Sequence, residues 1–150
     1  MRTIELMLQN HPNAETQRTE DYSSALEALS ACEQVCSDCA DACLGETAHL
    51  AILRRCIRIN LDCAEVCATT ARLLSRHTET ASAIVHAQLH ACVLACQICG
   101  DECEMHADIH NYCRICAETC RLCQKRCNYL LGMISASGVE SDEEEDLTLP

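Results

Sequence analysis

The stretch that decides the fold is CEQVCSDCADAC, from Cys32 to Cys43, where the cysteines follow the spacing C-x3-C-x2-C-x3-C. Residues three and four apart lie on the same face of an α-helix, so this spacing predicts a helix with a stripe of thiols along one side. The same spacing returns in CVLACQICGDEC at residues 92–103. The full set of cysteines is Cys32, Cys36, Cys39, Cys43, Cys56, Cys63, Cys67, Cys92, Cys96, Cys99, Cys103, Cys113, Cys116, Cys120, Cys123 and Cys127.

An internal repeat relates the two halves of the chain. When the sequence is shifted by 60 residues, seven cysteines fall on cysteines, and Asn60 falls on Cys120. Each half therefore carries the same cysteine pattern and is predicted to form a helical hairpin. One hairpin cannot bury its own thiol stripe, so the two hairpins are expected to pack against each other.

The predicted fold is all-α: an antiparallel four-helix bundle with a cysteine-lined core. Helices are expected at about 20–44, 47–75, 79–105 and 108–131, with Gly45 and Gly132 at helix ends. A short amphipathic segment, broken at His11-Pro12, occupies residues 1–18, and the bundle occupies residues 19–132. Residues 133–150 contain the acidic run SDEEED and are predicted to be a disordered tail.

Composition narrows the class of protein. The chain has 16 cysteines in 150 residues, no Phe and no Trp, and a formal net charge of −12. The negative charge argues against nucleic acid as a partner. Neither a signal sequence nor an apolar run of membrane-spanning length is recognised, so we expect a cytoplasmic protein without a membrane partner. In that compartment thiols stay reduced, and dense cysteine points to metal binding more than to disulfides.

The pattern of thiols favours copper(I) over other metals. Zinc and iron–sulfur clusters take four thiolates, usually from separated loops, whereas copper(I) is soft and accepts two or three. Two cysteines at i and i+4 could hold one ion, and seven such pairs exist, for example Cys32/Cys36. Because a thiolate can bridge two ions, we expect on the order of 15–20 copper(I) ions in the core. The alternative is an iron–sulfur or thiol redox protein, and no catalytic constellation suggests an enzyme.

One end of the predicted bundle gathers further candidate metal-binding side chains. His49, Met105, His106 and His110 lie where the helices meet near Gly45. Imidazole and thioether both suit copper, so His106 and His110 are predicted as the first ligands at an open mouth, with Met105 a weaker candidate. Asn60 occupies a core position where its amide oxygen could also bind an ion.

These motifs resemble the cytosolic branch of the copper storage proteins over about residues 1–132. The resemblance rests on the C-x3-C-x2-C-x3-C stretch followed by Leu44-Gly45-Glu46, on CIRINLDCAEVC at 56–67, and on the stretch from His106 to Ala117. It implies a four-helix bundle that assembles as a homotetramer and holds Cu(I) on cysteines, with histidines and Asn60 taking part at one end. A copper chaperone is then a candidate donor. Related sequences tend to carry a histidine where this chain has Tyr112, which would leave the mouth one nitrogen ligand short.

Overall fold

Five α-helices make up the computed structural model, which describes residues 2–14 and 18–138, with the backbone alone for 135–138. They are α1 (Arg2–Gln9), α2 (Thr19–Leu44), α3 (Leu50–Leu74), α4 (Ser82–Glu104) and α5 (Asn111–Gly138). The described part of the chain contains no strand. The predicted all-α bundle is confirmed, with α2 to α5 as its four walls and α1 as the short N-terminal helix.

One of the two helix ends predicted at a glycine is observed in the structure, and the other is not. Gly45 ends α2, and its N–H group bonds to the carbonyl groups of Asp41 and Ala42. The prediction that Gly132 ends the last helix is wrong, because α5 continues to Gly138. Met133 and Ile134 pack against the core, and this burial outweighs the cost of about 0.5–1 kcal/mol for a glycine inside a helix. The disordered tail is predicted for residues 133–150, but residues 133–138 belong to α5, and the remainder lies outside the described residues.

The four long helices form a closed square. α2 packs on α3 and α5, and α4 packs on the same two helices, whereas the diagonal pairs make no close backbone contact. Short connections make sequential neighbours antiparallel, so α2 and α4 end where α3 and α5 begin. We call this end the mouth, and its polar side chains are Glu46, His49, His106, His110 and Tyr112. The opposite end is called the far end.

The core changes in character along the bundle axis. All 16 cysteines are buried, with exposures of 2% or less. Beyond them, the far end is filled by leucines that are at most 3% exposed: Leu26, Leu29, Leu74, Leu89 and Leu130. The segment after α1 covers this end, since the Asn13 amide donates to the His77 carbonyl oxygen at 3.1 Å. The thiols therefore line a tube that is closed by aliphatic packing at one end.

Helix α4 departs from the expectation that no stretch approaches membrane-spanning length. By length and composition alone it could cross a membrane, since residues 82–100 carry no charge. Its four cysteines face the other helices of the bundle, while Ile84, Leu94 and Ile98 are exposed. A single apolar helix of this kind is weak evidence for a membrane protein, and four of the apolar residues of α4 are cysteines of the buried core.

Candidate metal centre

The thiols come together in overlapping groups of four along the tube. Within each group the sulfur atoms lie within 4.8 Å of one another. From the mouth inward, five of these groups are Cys39/Cys43/Cys56/Cys113, Cys36/Cys99/Cys116/Cys120, Cys32/Cys36/Cys63/Cys120, Cys32/Cys63/Cys67/Cys96 and Cys67/Cys92/Cys96/Cys123. Adjacent inner groups share sulfurs, which is the arrangement that bridging thiolates need.

Contacts between helices are as short as those within a helix. The predicted pairs Cys32/Cys36 and Cys63/Cys67 have Sγ–Sγ distances of 3.8 and 4.0 Å. Between helices, Cys36 lies 3.7 Å from Cys120, and comparable distances of 3.8 Å join Cys56 to Cys103 and Cys67 to Cys96. An ion could therefore be shared across helices as readily as along one helix, which spacing within a single helix could not reveal.

Among the described residues Asn60 is the one buried side-chain amide, and it sits among five cysteines. Its Nδ2 donates to the Cys56 carbonyl oxygen at 2.8 Å, which fixes the orientation of the amide. The same nitrogen lies 3.3–3.5 Å from the sulfurs of Cys56, Cys39 and Cys103. Its Oδ1 accepts from Cys116 at 3.0 Å and from Cys99 at 3.2 Å. The fully buried amide is thus satisfied, with its oxygen facing thiols of α4 and α5.

At the mouth, His110 is enclosed by three polar side chains. Its Nδ1 lies 3.4 Å from Oε1 of Glu46, and the Tyr112 hydroxyl donates to the same oxygen at 3.2 Å. The Tyr112 ring stacks on His110 with a centroid distance of 5.3 Å, and His49 meets it edge-on at 5.6 Å. His110 is 8% exposed although it lies at a helix start. Burial is the main reason that the pKa of Tyr112 is raised far above its ordinary value, so its hydroxyl remains a donor.

The other mouth histidine has a separate set of partners. Nε2 of His106 lies 3.5 Å from Oε1 of Glu102, whose second oxygen accepts from Nε of Arg55 at 3.2 Å. That buried Nε2 has no hydrogen bond of good geometry within the described residues, which suits a group with capacity for a further ligand. Met105 is 75% exposed, so its thioether faces solvent beside the mouth. The structure therefore places His106 and His110 together at the mouth and leaves Met105 outside it.

The mouth thiols differ in acidity. Hydrogen bonds from Cys39 and Cys56 lower the pKa of Cys113 to about 3, with a further contribution from His106. Burial, followed by the charge of Cys113, raises the pKa of Cys43 to about 11. A thiolate is the form that binds soft metal ions. Cys113 is thus the mouth sulfur best prepared to receive one at neutral pH.

Sequence reasoning missed the two carboxylates of the mouth. Glu46 follows Gly45 in the α2–α3 connection, and Glu102 lies one turn before His106 on α4. The i,i+4 spacing of Glu102 and His106 was a usable signal. Glu46 offered none, because 64 residues separate it from His110 and only the fold brings them together.

Solved structures and known sequences similar to this chain share its cysteine-rich helical design. Residues 18–132 match the family model described as copper storage protein. A structure of Streptomyces lividans Ccsp loaded with 10 copper equivalents is 42% identical, with a TM-score of 0.82 over 86% of this chain and 98% of that one. A structure of the cytosolic copper storage protein from the same organism with five coppers is 47% identical, with a TM-score of 0.73 over 75% and 93% of the two chains.

A sequence relative extends the similarity to another genus. The uncharacterized cysteine-rich protein YhjQ of Bacillus subtilis strain 168 is 33% identical over 111 residues, which are 72% of this chain and 94% of YhjQ. Together with the stacked thiol groups in its core, these matches show that the chain belongs to the copper storage protein family.

Proposed function

We propose that this protein stores copper in the cytosol as Cu(I), with on the order of 15–20 ions bound to the core thiolates. The observation that carries the proposal is the column of sixteen buried, unpaired cysteines with sulfurs in overlapping groups. Such a core presents far more soft ligands than one catalytic or structural ion requires. Similarity to the copper-loaded Ccsp structures supports the same assignment.

Charge and coordination favour the monovalent ion. Copper(I) and thiolate in roughly equal numbers are nearly neutral, which a buried array requires. Ions that accept two or three sulfurs can share the thiolates that adjacent groups have in common. Because the thiols must lose protons, loading should release protons and stabilise the fold. The burial of every cysteine suits retention of an ion more than turnover of a substrate, so we propose a binding protein and not an enzyme.

The proposed ligands are the sixteen cysteines, Asn60 and the side chains of the mouth. His106 and His110 are the proposed first contacts for an arriving ion, because they lie near Cys113 at the end of the bundle where the thiols approach the helix connections. Met105 is proposed as an outer contact from its exposed position. Copper could be handed to this end by a copper chaperone, whose docking would need access to these same residues.

An anaerobic Cu(I) titration against a competing chelator tests storage directly. We expect saturation well above ten ions per chain, with ultraviolet but no visible absorption. Replacing Cys36 and Cys120, whose sulfurs belong to two groups, with alanine should remove several ions, while Ser37→Ala on the exposed side of α2 should remove none. Saturation at four or fewer ions would refute storage.

The same experiment addresses the alternative of an iron–sulfur protein. Each thiol group has four sulfurs, which is the number that such a cluster requires. Iron-loaded protein would be brown, and a visible band that forms after iron and sulfide addition in place of copper uptake would favour that alternative.

We also propose that the chain forms a homo-oligomer, a tetramer in line with its family. Residues Ile59, Ala91, Leu94, Ala95 and Ile98 line an apolar hollow of about 250 Å³ between α3 and α4. Exposed apolar area of this kind is typical of a protein interface. Sedimentation of the wild type should give a multiple of 16.5 kDa, and Leu94→Glu should shift it toward the monomer. A monomeric wild type would contradict the proposal.

A further inference from the structure

We infer that Glu46 and Tyr112 are positioning residues that hold His110 so that its Nε2 is the nitrogen offered to copper. This inference deepens the proposed function, since it rests on His110 being a contact of the mouth. Neither residue is a metal ligand in this view: both act through the imidazole ring.

The contacts around His110 define one ring orientation. Glu46 Oε1 is 3.4 Å from Nδ1, and the carboxylate is held in turn by the Tyr112 hydroxyl at 3.2 Å. The Tyr112 ring lies 26° from parallel to the imidazole, which restricts rotation about the histidine side-chain bonds. The histidine backbone is also fixed, because its N–H group bonds to the His106 carbonyl oxygen at 2.9 Å. The plane and the position of the His110 ring are therefore both constrained, and its Nδ1 faces the Glu46 carboxylate.

The chemistry of the two imidazole nitrogens completes the argument. A carboxylate can only accept, so of the two neutral tautomers of His110 it favours the one that carries its proton on Nδ1. The lone pair then resides on Nε2, which becomes the ligand atom. A carboxylate behind a metal-binding histidine is a common means of fixing tautomer and orientation, and its loss typically weakens metal binding by about 10–100-fold. Tyr112 strengthens the arrangement by holding Glu46 in place.

His106 provides an internal comparison at the same mouth. Its carboxylate partner Glu102 lies beside Nε2 and not beside Nδ1. Changes at Glu46 or Tyr112 should consequently alter the tautomer of His110 and leave His106 as it was. A general loosening of the mouth would affect both rings.

The first measurement is made on reduced, metal-free protein. Long-range ¹H–¹⁵N correlation of the histidine side chains should show His110 protonated on Nδ1. Glu46→Ala should convert it to a mixture of tautomers, Tyr112→Phe should have a smaller effect in the same direction, and Glu46→Gln should preserve most of the Nδ1 form, because its amide oxygen still accepts. Two matched controls are Tyr129→Phe, an exposed tyrosine of the same helix, and Glu104→Ala, a carboxylate paired with Arg121.

The second measurement is the rate at which the first equivalent of Cu(I) is bound under stopped flow. Glu46→Ala should slow this step about tenfold, with Glu46→Gln and both controls near wild type. Total capacity should stay unchanged in every variant. If His110 carries its proton on Nε2 in the wild type, or if Glu46→Ala alters neither tautomer nor rate, the inference is wrong while storage stands. If Glu46→Ala fails to fold, Tyr112→Phe decides by the same two readouts. Low capacity in the wild type would instead refute the proposed function.

Discussion

The two ends of the bundle are built from the same four helices but from opposite kinds of side chain. At the mouth, Glu46, His110 and Tyr112 are joined by polar contacts directly above the Cys113 group. At the far end, Leu29 and Leu89 are fully buried, and they occupy equivalent places in the 60-residue repeat. The repeat thus builds symmetric hairpins, while the residues at the helix ends make the tube asymmetric. The side chains proposed to receive copper therefore lie at the mouth, and the large aliphatic side chains that stabilise the fold lie at the far end.

The largest expected effect is a loss of stability when a leucine of the far end is removed. Leu89→Ala removes a side chain with no exposed surface and should lower the free energy of unfolding of the metal-free protein by about 2–5 kcal/mol. The rate of copper uptake should remain close to that of the wild type. Denaturant unfolding under reducing conditions measures the first quantity, and Leu122→Ala, at an exposed site on α5, should cost less than about 0.5 kcal/mol. Equal losses at both positions would mean that the far end is not a packed plug.

The reciprocal change at the mouth should affect uptake and spare stability. His106→Ala combined with His110→Ala should slow the first binding step by at least about tenfold, because both nitrogen ligands are lost. His86→Ala with His90→Ala, a histidine pair on the outer part of α4, is the matched control. Cu(I) loading at an unchanged rate and capacity in the mouth variant would show that copper enters elsewhere.

Acidity should distinguish two sulfurs within the mouth itself. The pKa of Cys113 is lowered to about 3 and that of Cys43 is raised to about 11. Between pH 5 and pH 8 the Cys113 thiolate fraction is therefore constant, whereas that of Cys43 falls about tenfold for each unit that the pH drops. Alkylation of the metal-free protein by iodoacetamide, followed residue by residue by mass spectrometry, should show these two dependences. An equal pH dependence of the alkylation rate at Cys113 and Cys43 would contradict the difference in their pKa values.

The smallest effect concerns the glycine inside α5. An added Cβ at Gly132 meets nothing within 4 Å, so Gly132→Ala should stabilise the protein by about 0.5–1 kcal/mol without affecting uptake. Gly100→Ala is the informative counterpart, because its Cβ would lie 3.0 Å from the guanidinium of Arg121 and displace it. Thermal unfolding of the metal-free variants compares them, and destabilisation by Gly132→Ala would mean that the helix needs its glycine.

Helical periodicity in the sequence was enough to predict the four long helices and the side of each helix that faces the core. The cysteines all face the core because positions three and four apart share a face, and the neighbouring helix ends bring His106 near His110. Periodicity could not place Glu46 against His110, since a loop and a side-chain rotamer decide that contact. It also could not give the close approach of Cys36 to Cys120, which depends on how far each helix is rotated about its axis.

Gly132 and α4 show where local rules were applied too simply. A glycine near the end of an apolar pattern predicts a helix end, but Met133 and Ile134, just beyond Gly132, still contact the core and the helix continues. The uncharged run of α4 reaches membrane-spanning length only when its cysteines, which line the core, are included as apolar residues. In both cases tertiary packing, which the local pattern does not contain, decided the outcome.

The leucine-filled far end has a consequence for the order in which copper ions would enter and leave a loaded protein. A tube with one opening behaves as a stack: the ions that enter first lie deepest, and those that enter last are the first available for withdrawal. With the mouth as the proposed route, ions held near Cys67, Cys92 and Cys123 would leave only after those nearer the mouth had moved or gone. Such a store would exchange its outermost ions quickly and its innermost ones slowly, and so hold a fast reserve and a slow reserve in a single chain.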